Sequence, residues 1–158
     1  MPRKVFFSFH YERDVRRIQQ VRQSWVIREH GAAQPFYDKA EFEQVKRRPG
    51  GIEKWIEDQL AGCSVTAVLF GRDTYDRPWV KHEIKRSYQL KMGIVAIDIH
   101  NVRDPLTGTD PQGRNPLEHW HANGKPFTSL YRTYDWVRDD GYNNIGAWIE
   151  RAARDVGR

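Results

Sequence analysis

Two residues four positions apart, Trp79 and Glu83, have the types and spacing to act on a small ligand. On a helix they share one face and lie one turn apart. They belong to residues 73–84, DTYDRPWVKHEI, which begin as a polar turn after an apolar run and continue as a helix. A carboxylate beside an indole, near the carboxyl edge of a parallel sheet, is a place where a bond can be cleaved. The residue types alone favour a structural role over a catalytic one. In that role Glu83 is a solvated helix glutamate paired with a cation such as Arg86 at i+3.

The apolar pattern predicts strands that alternate with helices along the chain. Runs of aromatic and branched residues predict strands at 5–9, 34–37, 64–70 and 94–99, and a further strand within 130–136. Helical spacing of apolar residues predicts helices at 12–29, 52–60, 76–92 and 145–156. Residues 64–70 are almost continuously apolar, which is typical of a central parallel strand.

The helix that carries Trp79 and Glu83 has recognisable ends. Asp76 is a candidate for its N-cap, and Pro78 is tolerated in a first turn. We expect Glu83 to be exposed or half-exposed on this helix. Residues 101–127 are rich in Pro, Gly, Asn and Asp, which predicts a long loop without secondary structure. Loops of that length in compact domains are often functional.

Alternating strands and helices imply a parallel sheet with helices on both faces and right-handed crossovers. About five strands in 158 residues favour one domain over residues 1–158, with the flavodoxin-like strand order 2-1-3-4-5. Ligands of such sheets bind beyond the carboxyl ends of the strands, at the switch point between strands 1 and 3. The loops there are residues 10–12 and 71–78, and the loop that begins at Asp38 flanks them.

The composition indicates a soluble protein of the cytoplasm. Charged residues make up 30% and hydrophobic residues 39%, which argues against disorder. The lone Cys63 excludes an internal disulfide and suits a reducing compartment. The sequence has neither a signal-peptide core nor an apolar run long enough for a bilayer, so we expect no membrane partner. The net charge of +5 comes from basic residues interspersed with acids, so we expect no nucleic-acid partner either.

Several familiar sites are missing from the sequence. No G-x-G-x-x-G follows a strand and no G-x-x-x-x-G-K-[ST] occurs, which excludes a Rossmann fingerprint and a P-loop. A phosphoacceptor receiver domain needs acidic residues after strand 1, where this chain has Phe9, His10 and Tyr11. His119 and His121 are two histidines on a predicted loop, which does not make a metal site, and we expect no metal. No G-x-S-x-G elbow appears.

Four segments, in order, resemble the sequence boxes of TIR domains. Residues 5–14 (VFFSFHYERD) resemble the first box, in which a hydrophobic strand runs into a serine-containing turn and an acidic helix start. Residues 36–38 (FYD) resemble the second strand and the start of its loop, and residues 63–71 (CSVTAVLFG) resemble the third strand. Residues 79–84 (WVKHEI) resemble the helix that carries the glutamate of NAD-cleaving TIR enzymes, with Val80 in place of a common cysteine. The chain is most similar to the TIR-like group of the bacterial Thoeris anti-phage system, over residues 4–100.

This resemblance implies an enzyme that cleaves the nicotinamide–ribose bond of NAD, with NAD as substrate and no bound cofactor. The nicotinamide of NAD is already cationic and leaves as a neutral molecule without a general acid. The two-carboxylate pair of ordinary glycosidases is therefore unnecessary. One carboxylate near the ribose can bind its hydroxyls and stabilise positive charge that develops at the sugar, and Glu83 is the candidate. The Thoeris group also implies a cyclic ADP-ribose-type signal that activates a separate effector protein.

The remaining candidates come from the loops and helix start around Glu83. For five of them an ordinary alternative exists: Trp79 and Phe9 can belong to the core, His10 and Arg72 can be surface residues, and Asp38 can simply begin a turn. The aromatic members are also suited to excluding water from the pocket. The full set of substrate-binding candidates is Phe9, His10, Tyr11, Asp38, Arg72, Tyr75 and Trp79.

Two other functions remain open. The chain can be a non-catalytic TIR-like module that assembles through its loops in signal transduction. It can also be another flavodoxin-like nucleotide-binding protein, such as a deoxyribosyl transferase in which one glutamate is the nucleophile. Release of nicotinamide from NAD separates the enzyme from the module, and substrate profiling identifies the transferase. The resemblance leaves open a homo-oligomer and a need for a phage-derived activator.

Overall fold

The secondary structure follows the order that the apolar pattern predicts. A computed structural model of the chain describes residues 3–10, 14–28, 32–33, 47 and 50–158. Its strands are β1 (Lys4–Ser8), β2 (Ala32–Ala33), β3 (Val65–Phe70), β4 (Gly93–Asp98), β5 (His121–Ala122), β6 (Lys125–Pro126) and β7 (Thr133–Asp135). Its helices are α1 (Val15–Gln23), which continues as a π-helical stretch (Ser24–Arg28), α2 (Gly51–Leu60), α3 (Pro78–Gln89), α4 (Phe127–Leu130) and α5 (Gly141–Asp155).

Five strands form one sheet in the order β2-β1-β3-β4-β7, and all neighbouring pairs are parallel. The predicted flavodoxin-like order 2-1-3-4-5 is therefore confirmed, because β7 is the fifth strand expected within 130–136. The short strands β5 and β6 pair with each other as an antiparallel hairpin. The carboxyl ends of β1 and β3, which are neighbours in the sheet, meet at the edge where the candidate loops begin.

Strands β3 and β4 are buried along their whole length. Because successive side chains of a strand point to opposite faces, each strand supplies apolar residues to two core clusters. One cluster includes residues of α1 and α5 together with Val65, Ala67, Leu69, Val95 and Ile97. The other includes Val80 and Ile84 of α3 together with Val68, Phe70, Ile94 and Ala96.

The register between the sheet and α3 places Glu83 at the level of Ser8. Phe6 of β1 lies beside Thr66 of β3, and Ser8 lies beside Val68, two residues further along. Thr66 is tied to α3 by a 2.6 Å hydrogen bond between its hydroxyl and that of Ser87. Two strand residues span about 6.6 Å and four helix residues about 6 Å. Glu83, one turn before Ser87, therefore comes level with Ser8.

The start of α3 differs from the sequence prediction. The N-cap is Arg77, not Asp76, and the first helical residue is Pro78. Thr74 organises the preceding turn, since Gly71 N donates to its hydroxyl at 2.8 Å and Arg77 N donates to its carbonyl at 3.1 Å. With these bonds the turn extends to Arg77, so Asp76 belongs to the loop before the helix and is exposed.

The second strand begins earlier than expected. β2 at Ala32–Ala33 pairs with Lys4 and Val5 of β1. The predicted strand at 34–37 lies outside the described residues, and so does most of the predicted loop at 38–51. At the other end of the chain, α5 begins at Gly141, four residues before its predicted start.

Residues 101–127 were expected to lack secondary structure, and this expectation is wrong. Asp104 and Gly108 exchange two backbone hydrogen bonds of 2.9 Å. Pro116–His119 forms a 3₁₀ helix, capped by a side-chain oxygen that accepts from the backbone. The β5–β6 hairpin turns at Asn123 and Gly124, whose φ angles are +53° and +76°. Asn-Gly favours this type of hairpin turn because both of its positions need positive φ.

None of the helices in the described parts of the chain has the length and apolar character needed to traverse a bilayer.

The sheet order predicts which amides exchange most slowly with deuterium. β1 and β3 are adjacent central strands, so the amides of Val65–Phe70 should be among the slowest of the chain, and those of the β5–β6 hairpin among the fastest. Hydrogen exchange followed by mass spectrometry measures both in one experiment. Rapid exchange throughout Val65–Phe70 would contradict this architecture.

Candidate functional site

Glu83 is buried between α3 and the sheet, with an exposed fraction of 1%. The expectation of an exposed or half-exposed glutamate is therefore wrong, and so is the ordinary pairing with Arg86. The Arg86 guanidinium instead binds the carboxylate of Glu57 on α2 and donates to Gln89 Oε1 at 2.7 Å. The physical reason is the register of α3, which turns Glu83 towards β1 and Arg86 towards α2.

The Glu83 carboxyl and the Ser8 hydroxyl are buried polar groups with unused hydrogen-bonding capacity. Neither Glu83 Oε2 nor Ser8 Oγ makes a hydrogen bond of ordinary geometry with another described residue. Burial raises the pKa of Glu83 well above its ordinary value, and the nearby Ser8 hydroxyl lowers it in part. Buried polar atoms normally have partners. The Glu83 carboxyl and the Ser8 hydroxyl have, at most, each other as side-chain partners, and they are therefore candidates for binding the polar groups of a ligand.

Trp79, Phe9 and His10 lie on the two elements that carry Glu83 and Ser8, at the start of α3 and just after β1. Trp79 lies one turn before Glu83 on the same face of α3, half-buried against the core. Its ring meets that of His82 edge-on, with the centroids 6.5 Å apart. Phe9 and His10 follow β1 and are both buried. The alternative of a surface His10 is therefore wrong, whereas Phe9 does belong to the core cluster, as its alternative proposed.

The other predicted residues divide between the loops. Arg72 is exposed, and its Nε lies 3.8 Å from Asp73 Oδ1, which agrees with the surface-arginine alternative. Tyr75 is half-buried in the β3–α3 loop, residues 71–77. Its ring stacks on that of His119, which belongs to the segment after β4, residues 99–120. Tyr11 and Asp38 lie outside the described residues. The binding roles of all these residues stay predictions.

A buried ion-pair network joins the loops of this edge. Arg17 of α1 is 1% exposed, and its Nη1 lies 3.4 Å from Asp14 Oδ1 and 3.1 Å from Asp110 Oδ2. The same guanidinium donates to two carbonyls of the segment after β4. Asp14 precedes α1 and packs so closely on Gly71 that a Cβ there would lie 2.9 Å from Asp14 Oδ2. Sequence reasoning missed this network because Arg17 and Asp110 are 93 positions apart and neither has a distinctive local pattern.

A second group missed by sequence reasoning lies at the ends of β4 and β7. Asp98, His100 and Asp135 place one possible metal-ligand atom each within 4.8 Å of one another. Those atoms already have protein partners. His100 Nδ1 is 2.6 Å from Asp98 Oδ1, Gln112 Nε2 donates to Asp98 Oδ2 at 3.0 Å, and Asn101 Nδ2 donates to Asp135 Oδ2 at 3.1 Å. We therefore interpret the group as a hydrogen-bond network that joins the two strand ends.

The raised pKa of Glu83 predicts a pH-dependent effect of Glu83→Gln on stability. Above the ordinary glutamate pKa of about 4.3 and below the raised native pKa, the native state holds a proton that the unfolded state releases. The free energy of unfolding of the wild type therefore falls as pH rises through this window. Glutamine does not titrate, so the variant should gain stability relative to the wild type with rising pH, and should gain nothing below the window. Chemical denaturation across this pH range measures the difference.

The matched control for this experiment is Glu53→Gln, which changes an exposed glutamate of α2 in the same way. It measures the effect of removing an exposed carboxyl under the same conditions. A pH-independent difference between Glu83→Gln and the wild type would show that burial does not perturb the Glu83 carboxyl.

Comparison with known proteins identifies the family. The model of the family described as Thoeris protein ThsB, TIR-like domain, matches residues 6–104, which include the end of β1 and the whole of β3, α3 and β4. A protein of Bacillus cereus (strain MSX-D12), which carries the provisional name cyclic ADP-D-ribose synthase ThsB1, is 29% identical over 191 residues. That alignment covers 94% of this chain and 100% of the relative. The chain belongs to the family of TIR-like domains of the Thoeris protein ThsB.

Proposed function

We propose that this protein cleaves the nicotinamide–ribose bond of NAD and joins the remaining ADP-ribose into a cyclic signal for an effector protein of Thoeris defence. The observation that carries the proposal is the buried carboxyl of Glu83, on the helix that follows β3. This carboxyl lies near the Ser8 hydroxyl of β1. The name of the Bacillus cereus relative, a cyclic ADP-ribose synthase, supports the same chemistry. NAD is the substrate in this proposal, and no resident cofactor is required.

The bond cleavage needs one anionic group and no acid. The C1′–N bond breaks with both electrons on the pyridine nitrogen, so nicotinamide leaves as a neutral molecule. Positive charge develops at the ribose, and an ionised Glu83 close to it stabilises that charge. Ser8 Oγ and Glu83 Oε2, which make no hydrogen bond of ordinary geometry with other described residues, are suited to hydrogen bonds with the ribose hydroxyls.

The raised pKa of Glu83 links substrate binding to ionisation. In the unliganded protein, burial favours the neutral carboxyl. The cationic nicotinamide ribose brings positive charge next to Glu83 and lowers its pKa, so the group loses its proton as the complex forms. The cost of desolvating the carboxylate is then offset by its stronger attraction to the positive charge that develops in the transition state.

Cyclisation requires that a group of the bound ADP-ribose reaches C1′ before water does. An intramolecular nucleophile that is well placed has an effective molarity of roughly 10⁵ M or more. The nucleophile loses one proton on attack, so the product has the mass of ADP-ribose less one water. Aromatic side chains at the sheet edge, Phe9 and Trp79 among them, favour this outcome because they keep water away from the sugar.

The role of Glu83 predicts the behaviour of Glu83→Gln with NAD. Loss of the charge should reduce nicotinamide release by roughly 100-fold or more, because a preorganised electrostatic contact of this kind is worth about that factor. For the wild type, kcat/KM should rise with pH through the raised pKa of the free protein, since the ionised form is the active one. Liquid chromatography of NAD incubations measures both, with and without extract of phage-infected cells.

Glu53→Gln serves again as the control and should keep wild-type activity. Activity of Glu83→Gln close to that of the wild type would remove Glu83 from the mechanism. A wild type that releases no nicotinamide under any of these conditions would favour the non-catalytic interaction module instead.

The water-excluding pocket predicts the product and its dependence on Trp79. The wild type should yield mainly the product with the mass of ADP-ribose less one water. Trp79→Ala opens the face of α3 next to Glu83, so the share of linear ADP-ribose should rise as water competes for the sugar cation. Mass spectrometry of the products gives the ratio directly. Linear ADP-ribose alone from the activated wild type would contradict the signalling function and favour an NAD-depleting hydrolase.

A further inference from the structure

The segment after β4 holds Tyr75 of the β3–α3 loop through His119. The two rings stack with their centroids 3.9 Å apart and their planes at 26°. His119 Nε2 also lies 2.7 Å from the carbonyl oxygen of Tyr75. A carbonyl only accepts hydrogen bonds, so Nε2 carries the hydrogen and donates it. His119 thus fixes both the side chain and the backbone of Tyr75.

Arg114 covers the other face of the Tyr75 ring. Its guanidinium carbon lies 4.2 Å from the ring centroid, as in a cation–π contact. Two groups that each lie about 4 Å over a ring must occupy opposite faces, because their atoms would otherwise overlap. Both faces of Tyr75 are therefore covered, and a substrate base has no free face of this ring on which to stack. The arrangement favours a structural task for Tyr75 within its loop.

The same segment is anchored at two further points. Near its start, Arg17 donates from Nε to Val102 O at 2.9 Å and from Nη2 to Gly108 O at 2.8 Å. Further along, Gly113 packs on the β3–α3 loop so closely that a Cβ there would lie 2.2 Å from Gly71 O. The Arg17 contacts hold the segment to α1, whereas those of Gly113 and His119 hold it against the β3–α3 loop.

We infer that His119 is a positioning residue, which acts through Tyr75 to fix the β3–α3 loop and with it the start of α3. Trp79 is the second residue of that helix, and Glu83 follows one turn later. A loop that shifts moves the indole and the carboxylate relative to the bound sugar, and a displacement of about 1 Å can cost on the order of 100-fold in rate. This inference depends on the proposed function for its catalytic part, whereas the contact with the loop can be tested without it.

The experiment compares four proteins: wild type, His119→Ala, His119→Phe and His121→Ala. Phenylalanine keeps a ring to stack on Tyr75 and loses the hydrogen bond to its carbonyl. His121 is the matched control, since it is an exposed histidine two residues away in the β5–β6 hairpin. Two readouts are measured: kcat and KM for nicotinamide release, and the exchange of the Gly71 and Arg77 amides, whose hydrogen bonds lie within the β3–α3 loop.

In His119→Ala, kcat should fall by about tenfold with little change in KM, because positioning acts on the reacting geometry more than on ground-state binding. The Gly71 and Arg77 amides should exchange faster, while the amides of Val65–Phe70 keep their wild-type rates. His119→Phe should lie between His119→Ala and the wild type in both readouts. His121→Ala should match the wild type.

The two readouts distinguish the ways in which the inference can fail. If the wild type is active and His119→Ala keeps its kcat within a factor of about two, His119 is not a positioning residue, whatever the loop does. If His119→Ala unfolds, His119→Phe decides by the same two criteria. If the wild type itself releases no nicotinamide, the proposed function fails, and exchange alone tests the contact. Unchanged exchange in that case overturns the inference as well, and faster exchange confined to the loop supports the contact.

Discussion

The burial of a single carboxyl, that of Glu83, is the constraint on which the rest of the site depends. Desolvation disfavours its charged form, and the Ser8 hydroxyl offsets that only in part. A buried carboxyl with so few partners destabilises the folded state. A fold retains such a group most readily where it is useful, so its position indicates a candidate site. The register of β1, β3 and α3 sets this position. The Thr66–Ser87 bond fixes α3 on the sheet, and Glu83, one turn before Ser87, then lies level with Ser8.

The same burial suits the chemistry of a cationic leaving group. A carboxylate in water would already be screened before the substrate arrives, and its attraction to the sugar would be weak. In the proposed mechanism, a carboxyl held out of water gains its charge as the cationic substrate binds, where little water screens that charge. Glycosidases of the two-carboxylate kind need a proton donor as well as an anion. NAD carries its own good leaving group, so one buried carboxyl and one indole can be sufficient for the proposed bond cleavage.

Much of the fold could be predicted from the sequence, because strands and helices leave short-range patterns in it. Continuous apolar runs marked the central strands, and helical spacing marked α2, α3 and α5, because both patterns follow from burial on one or two faces. The Asn123-Gly124 pair is a local hairpin signal within the segment that was expected to lack secondary structure. The burial of Glu83 could not be predicted, because a helix pattern does not say how deep each position lies once a partner strand is in place. The links from Arg17 to Asp110 and from His119 to Tyr75 join distant parts of the chain, and no short-range pattern reports such contacts.

A parallel sheet brings its functional residues to one edge, but it does not by itself hold the loops that carry them. The loops at this edge begin at buried strands and then leave the core, so their positions must be secured by other contacts. Here the segment after β4 supplies these contacts: Asp110 pairs with Arg17 of α1, whereas Gly113 and His119 pack on the β3–α3 loop. The family match ends at residue 104, before most of this segment. The part of the chain that packs against the β3–α3 loop through Gly113 and His119 therefore lies outside the residues that the family model matches, and its contacts are a feature of this chain's own sequence.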